Sequence, residues 1–148
     1  MRSLLLGLLC CITGGTASAQ ALDWSVQYDS VAIFSSPRAA DLNGDGTDDL
    51  VLGAGIEDAR HSIGIIALDG QSGQELWHQP TRDQIFSSAV FEDLNGDGQV
   101  DVVMAGRSAQ LLALEGNSGQ VLWEFWPDSL GPGAPFGWQQ FYTPRRVP

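Results

Sequence analysis

A short acidic segment occurs twice in this chain, and the duplication limits its fold more than any other feature. DLNGDGTDDLVLGAG runs from Asp41 to Gly55, and DLNGDGQVDVVMAG runs from Asp93 to Gly106, fifty-two residues further on. Phe34 opens the lead-in FSSPRAAD to the first copy, and Phe86 opens FSSAVFED to the second at the same spacing. Beyond each copy lies another related pair, IIALDGQSGQELW from Ile65 to Trp77 and LLALEGNSGQVLW from Leu111 to Trp123, offset by forty-six residues. The difference, 52 − 46, leaves six extra residues in IEDARHSIG, which is expected as a surface hairpin loop. Tandem units of this length stack on one another, since no single unit can bury its own apolar surface.

Each unit reads as β-structure. DLVLGA and DVVMAG are short apolar runs bounded by glycine, as strands are. GQSG and GNSG are turn signals between two further strands, with Gly73 and Gly119 suited to a left-handed backbone. The unit is therefore a four-stranded antiparallel meander, with the acidic loop between its first and second strands. Strands of about five residues are roughly 17 Å long, the size of a propeller blade. Stacking around an axis would cover both faces of each meander, with Trp77 and Trp123 as filler between neighbours. The expectation is an all-β fold, a partial β-propeller with blades at about 31–79 and about 83–126 and the start of a third at about 137–148. Before the first unit, Trp24, Val26 and Tyr28 alternate with polar residues as a half-buried strand would. That stretch resembles the blade ends at Trp77 and Trp123, so in a closed ring it would be the outermost strand of the last blade.

The acidic loops have the composition of a site for a hard cation. Asp41, Asn43 and Asp45 alternate, and Asp49 follows; with the backbone carbonyl of Thr47 and water they supply the six to eight oxygens that calcium takes. The second loop offers Asp93, Asn95, Asp97 and Asp101, with Gln99 at the place of Thr47. Gly44 and Gly46 can take the positive φ that lets the chain fold back around an ion. An EF-hand would need a bidentate Glu at its twelfth position, where these loops have Leu52 and Met104, and both loops run into strands rather than helices. The alternative is an Asx-rich turn without metal. Two copies with Asp, Asn, Asp and Asp in register favour two Ca2+ sites.

Charge and targeting narrow the partners. The chain has 148 residues, no lysine, seven arginines and eighteen acids, for a net charge of -11. Six of the acids are Asp41, Asp45, Asp49, Asp93, Asp97 and Asp101, which bound cations would neutralise. No basic patch suits nucleic acid or an anionic membrane surface. Arg2, the apolar stretch Leu4–Ile12 and Ala17-Ser18-Ala19 form a secretory signal over residues 1–19, cut before Gln20, with no membrane insertion afterwards. Both cysteines, Cys10 and Cys11, lie inside it, so the mature chain has no thiol or disulfide. The expected location is secreted, extracellular or periplasmic.

DxNxDGxxD followed by DLVLGAG resembles the FG-GAP repeat of integrin alpha-subunit propellers and many secreted bacterial proteins. Its departures are the serines after Phe34 and Phe86 and Gly55 where proline is common. The hairpin pattern AxDxxxGxxxW, on Ala67, Asp69, Gly73 and Trp77, is similar to the tryptophan-docking motif of quinoprotein-type propellers. That resemblance implies that the Trp packs on the neighbouring blade and that Asp and Gly shape the turn. The second copy keeps Ala113, Gly119 and Trp123 but has Glu115 for Asp, which predicts a different turn there.

FYTPRRVP, Phe141–Pro148, lines up with FSSPRAA with one insertion, so the chain is expected to be the beginning of a longer propeller, stopping before a third loop. Alone it would leave blade faces exposed and self-associate. Three functions remain open: a binding or adhesion module for a protein or glycan with structural calcium, part of a propeller enzyme of polysaccharide lyase or quinoprotein dehydrogenase type, or an envelope assembly scaffold. No catalytic residue is assigned. His61 and His78, Arg145 and Arg146, and Glu57 with Asp58 all read as solvated surface.

Overall fold

A short, strongly apolar strand needs cover on both faces, and the first copy of the repeat finds it. The computed structural model describes residues 23–29, 31–56, 61–107 and 110–125. They form nine strands: β1 Ala32–Ile33, β2 Arg38–Ala40, β3 Asp49–Gly55, β4 His61–Leu68, β5 Glu75–Thr81, β6 Val90–Glu92, β7 Asp101–Ala105, β8 Leu111–Leu114 and β9 Val121–Phe125. Among the described residues there is no helix, and the fold is all-β as expected. The expected signal over 1–19, Glu57, Asp58, and the tail with Arg145, Arg146 and the third lead-in lie outside the described residues.

All pairing is antiparallel, and the strands form two sheets. In the first, β3, β4 and β5 follow in order, while β1 and β2 lie in line along the other edge of β3, Ile33 opposite Ala54 and Arg38 opposite Val51. This sheet is thus four strands wide with a broken edge strand. At the break, the Ser35 hydroxyl accepts the Gly53 N–H at 2.6 Å, replacing a ladder bond that the backbone no longer makes. The second sheet runs β6-β7-β8-β9, and Ser87 repeats the device by accepting the Ala105 N–H at 2.7 Å. Two antiparallel four-stranded meanders in succession are consistent with partial propeller blades.

Alternation along the strands divides the core into two clusters. Val51, Ile65, Ala67 and Trp77 of the first sheet, with Leu42 from its loop, pack against Ile85, Val102, Met104, Leu112 and Leu114. The opposite face of the first sheet, Leu52, Ala54, Ile66 and Leu68, is covered by Trp24, Tyr28 and Val31. Burying a large apolar side chain fully contributes about 1.5–3 kcal/mol. Most of what joins the sheets comes from this shared cluster.

Tryptophans fasten each turn to its neighbour. Trp77 donates its indole N–H to the Gly116 carbonyl at 2.7 Å, and Trp24 donates to the Gly70 carbonyl at 3.1 Å. The rings lie so close to Gly73 and Gly119 that a Cβ there would come within 2.5 Å of Trp24 and 2.6 Å of Trp77. Both glycines also hold positive φ, 72° and 69°, which other residues resist.

Three expectations are corrected. Residues 23–28 do not form a strand: Trp24 and Tyr28 use their side chains to cover the first sheet, and the backbone has no ladder partner among the described residues. IEDARHSIG is not wholly a hairpin loop, because His61–Gly64 belong to β4 and Gly64 lies against Thr81, where a Cβ would not fit. The Glu115 turn does not differ from its counterpart. The Gly73 N–H donates to the Asp69 carbonyl at 2.8 Å and the Gly119 N–H to the Glu115 carbonyl at 2.8 Å, so the backbone sets the turn whatever the acid's length.

Candidate metal-binding loops

Each acidic loop links the short first strand of its sheet to the long second one, β2 to β3 and β6 to β7. Its aspartates fold the loop by accepting the backbone N–H groups that a tight turn leaves without partners. Asp41 accepts Gly44 N–H at 2.8 Å on Oδ1 and Gly46 N–H at 3.0 Å on Oδ2. Asn43 Oδ1 accepts Asp45 N–H at 2.9 Å, and Asp45 Oδ1 accepts Thr47 N–H at 2.7 Å. The second loop repeats every bond: Asp93 with Gly96 at 2.7 Å and Gly98 at 3.0 Å, Asn95 with Asp97 at 2.9 Å, Asp97 with Gln99 at 2.8 Å. In both loops the Asn amide also reaches the second oxygen of the following Asp, at 3.4 Å from Asn43 and 3.1 Å from Asn95.

The ninth-position carboxylates stand apart from the other three. Asp49 and Asp101 are buried beneath their loops, 0% and 1% exposed, whereas Asn43, Asp45, Asp93, Asn95 and Asp97 are exposed and Asp41 is half-buried. Asp49 Oδ2 accepts Leu42 N–H at 3.0 Å and Oδ1 accepts Gly70 N–H at 3.0 Å, tying the loop to the β4–β5 turn. Asp101 Oδ2 accepts Leu94 N–H at 2.9 Å, but its Oδ1 is buried without a hydrogen-bond partner. Thr47 is half-buried, and the exposed Gln99 accepts the Asn117 amide at 3.4 Å. Among the described residues no group of three or more His, Cys, Asp or Glu side chains is placed to hold a metal ion.

Does the donor set fit a hard cation? Each loop offers two exposed or half-buried carboxylates and an amide oxygen, all hard donors. A carboxylate oxygen that accepts one N–H keeps a further lone pair. Asp101 Oδ1 is a buried carboxyl oxygen without a hydrogen-bond partner. The donor types and their spacing in the sequence suit a hard cation, while the acidic side chains do not converge into a cluster.

Asp69, expected to shape the β4–β5 turn, lies next to the first loop. It accepts the Ser72 N–H at 2.6 Å and the Ser72 hydroxyl, and these bonds hold its carboxyl below the usual range. Asn43 also reaches it at 3.4 Å, so loop and turn touch. Sequence reading missed a second cluster. Glu75 accepts the Tyr28 hydroxyl at 2.6 Å on one oxygen and meets His78 Nδ1 at 2.6 Å on the other. Partial burial would raise the Glu75 carboxyl, but the bonds from His78 and Tyr28 outweigh it and the net direction is down. His78 is therefore exposed but paired, and His61 is known only as the first residue of β4. Only the i, i+3 spacing of Glu75 and His78 hinted at that contact.

No curated protein and no solved structure matches this chain. The family model of the FG-GAP repeat matches residues 34–73, from the Phe34 lead-in through the first loop, β3 and β4 to Gly73 of the docking turn. The first sheet therefore carries an FG-GAP repeat, a unit that suggests a β-propeller-like adhesion or binding module.

Proposed function

We propose that the chain is a secreted, calcium-stabilised β-propeller module that binds a protein or glycan partner, with calcium in a structural role. The observation that supports it best is the bond-for-bond repetition of one Asp/Asn network in two loops, fifty-two residues apart, each closed underneath by a buried carboxylate. Asp41, Asn43, Asp45 and Asp49, with Thr47, would hold one ion; Asp93, Asn95, Asp97 and Asp101, with Gln99, would hold the other. Bound calcium supplies positive charge to a loop that otherwise concentrates negative charge. The loop residues present oxygens at the surface, and the buried pair anchors them to the strands.

The adhesion reading follows from the repeat at 34–73. Secretion accords with the leader-like residues 1–19 and a net charge of -11. Calorimetric titration of calcium into chelator-stripped protein tests the metal. Two ions per chain are expected, with affinity of about 10⁻⁴ to 10⁻³ M as in extracellular modules; no binding heat through the millimolar range would overturn the reading. Glycan and extracellular-protein arrays probed in calcium and in EGTA test the other half. Calcium-dependent binding is expected, and binding indifferent to EGTA would contradict a calcium-held binding surface.

A further inference from the structure

DLNGDG places a glycine directly after Asn43 and another directly after Asp45, and the second loop does the same after Asn95 and Asp97. Asparagine is chemically labile, and most so before glycine, whose nitrogen has no Cβ beside it to hinder an attack on the asparagine Cγ. The reaction needs the glycine nitrogen to give up its proton and to swing against Cγ.

Each loop withholds both conditions. Gly44 N–H donates to Asp41 Oδ1 at 2.8 Å and Gly46 N–H to Asp41 Oδ2 at 3.0 Å, so one carboxylate holds both of the nitrogens that follow an Asn or Asp. Asp93 does the same for Gly96 at 2.7 Å and Gly98 at 3.0 Å. Taking the proton from such a nitrogen would set two negative charges within hydrogen-bond distance of each other, which disfavours the reactive form. The asparagine side chains are pinned as well. Asn43 Oδ1 accepts Asp45 N–H at 2.9 Å, and its Nδ2 reaches Asp45 and Asp69, both at 3.4 Å. Asn95 Oδ1 accepts Asp97 N–H at 2.9 Å, and its Nδ2 donates to Asp97 at 3.1 Å. These bonds, not burial in the core, hold the two steps.

We propose that Asn43 and Asn95 are sites of spontaneous deamidation, with Asp41 and Asp93 as the guards that keep each loop in its unmodified form. When the first loop opens, the Gly44 nitrogen bonds to Asn43 Cγ, the side-chain nitrogen leaves, and the proton lost from Gly44 departs with it as ammonia. The product is a cyclic imide. Water then cleaves one of the two ring C–N bonds: cleavage at Cγ gives aspartate, and cleavage at the main-chain carbonyl gives isoaspartate, in which the chain runs through Cγ. Water is the only co-reactant, and nothing is oxidised or reduced. Either product adds a carboxylate to a loop that already carries Asp41, Asp45 and Asp49. Isoaspartate also lengthens the main chain by one carbon, so the turn closed between Asn43 and Asp45 loses its spacing. The modification is therefore a one-way record of loop opening. It goes beyond the calcium reading and does not depend on it.

Peptide mass spectrometry of the full chain, incubated in EGTA at mildly alkaline pH and sampled over time, tests the proposal, with isoaspartate-specific methylation to identify the product. In the folded wild type both asparagines are expected to deamidate roughly tenfold more slowly, or slower still, than in urea, since opening gives up a hydrogen bond to a charged group. Asp41→Ala should speed the reaction at Asn43 roughly tenfold and leave Asn95 at the wild-type rate, and Asp93→Ala should do the reverse. The untouched loop in each variant reports on global unfolding. Equal rates in the folded chain and in urea would overturn the proposal, as would an Asn43 rate indifferent to Asp41→Ala. Acceleration at both asparagines alike would overturn it too, because the whole fold rather than the guarding carboxylate would then be the protection. Loop-specific acceleration in a chain that shows no calcium-binding heat would support this inference while the calcium reading fails.

Discussion

Trp77 and Gly116 are joined across the two sheets by an indole N–H donated to a backbone carbonyl at 2.7 Å, with the ring seated on Gly119. Trp77 is 7% exposed and belongs to the cluster that both sheets share. Trp77→Ala should therefore destabilise by about 3–5 kcal/mol, the range for large-to-small aromatic changes in a core. Trp77→Phe should lose the hydrogen bond, about 1 kcal/mol, together with part of the contact area. Urea unfolding measures both, and an effect of Trp77→Ala no larger than that of a surface substitution would show that the sheets do not depend on this contact.

Gly119 and Gly96 separate steric fit from backbone conformation. Both hold positive φ, 69° and 80°, but a Cβ at Gly119 would lie 2.6 Å from Trp77, while one at Gly96 meets nothing within 4 Å. Gly96→Ala should cost the left-handed penalty alone, about 1–2 kcal/mol. Gly119→Ala should cost that and a further overpacking penalty of about 1–3 kcal/mol. Equal losses in chemical denaturation would mean that the ring has room to move.

Asp49 and Asp101 differ by one bond, which makes them a test of what the ninth-position carboxylate does. Asp49→Asn turns an N–H group toward Leu42 N–H or Gly70 N–H and should cost about 1–3 kcal/mol without calcium. Asp101→Asn removes an oxygen that has no protein partner, so in EGTA it should cost less than Asp49→Asn. Added calcium should raise the cost of Asp101→Asn above its value in EGTA if Asp101 Oδ1 serves the ion. The melting points of the two variants, with and without calcium, give the comparison.

Much of this organisation was legible in the residues. The duplicated DLNGDG, the glycine-bounded apolar runs and the repeated Trp located both sheets, both loops and the docking turns, because each is a local pattern with a local cause. The exceptions depend on partners distant in sequence. Trp24 and Tyr28 alternate like a strand, yet a strand needs a ladder neighbour, and their side chains pack against the first sheet instead. Ser35 and Ser87 replace ladder bonds that only the three-dimensional break reveals. Asp49 reads as a fourth ligand in the linear pattern, whereas its burial and its bond to Gly70, twenty-one residues away, make it also the clamp between loop and turn.

The Tyr28–Glu75–His78 cluster predicts a dependence on pH. Glu75 is held below the usual carboxylate range in the folded chain, so its contribution to stability is fully present above its unfolded pKa. That contribution should fall as pH drops below the ordinary carboxylate range and disappear once the pH passes below the depressed value. Tyr28 runs the other way: burial first, then the Glu75 bond and charge, raise its phenol well above the ordinary value. Its contribution is present below the ordinary tyrosine pKa and lost as pH rises toward the raised one. The difference in urea midpoint between wild type and Glu75→Gln should be present at neutral pH and vanish in acid; a difference that persists unchanged in acid would mean that Glu75 does not act through its charge.

Calcium-dependent melting tests the central claim most directly. With affinities of about 10⁻⁴ to 10⁻³ M, roughly 10 mM calcium should add about 1.4–2.7 kcal/mol per site. The melting temperature of the full chain should rise steadily with calcium and fall back in excess EGTA, while Asp41→Ala combined with Asp93→Ala should abolish the response. A melting temperature unchanged between 10 mM calcium and excess EGTA would contradict the account and leave both loops as Asx turns without metal.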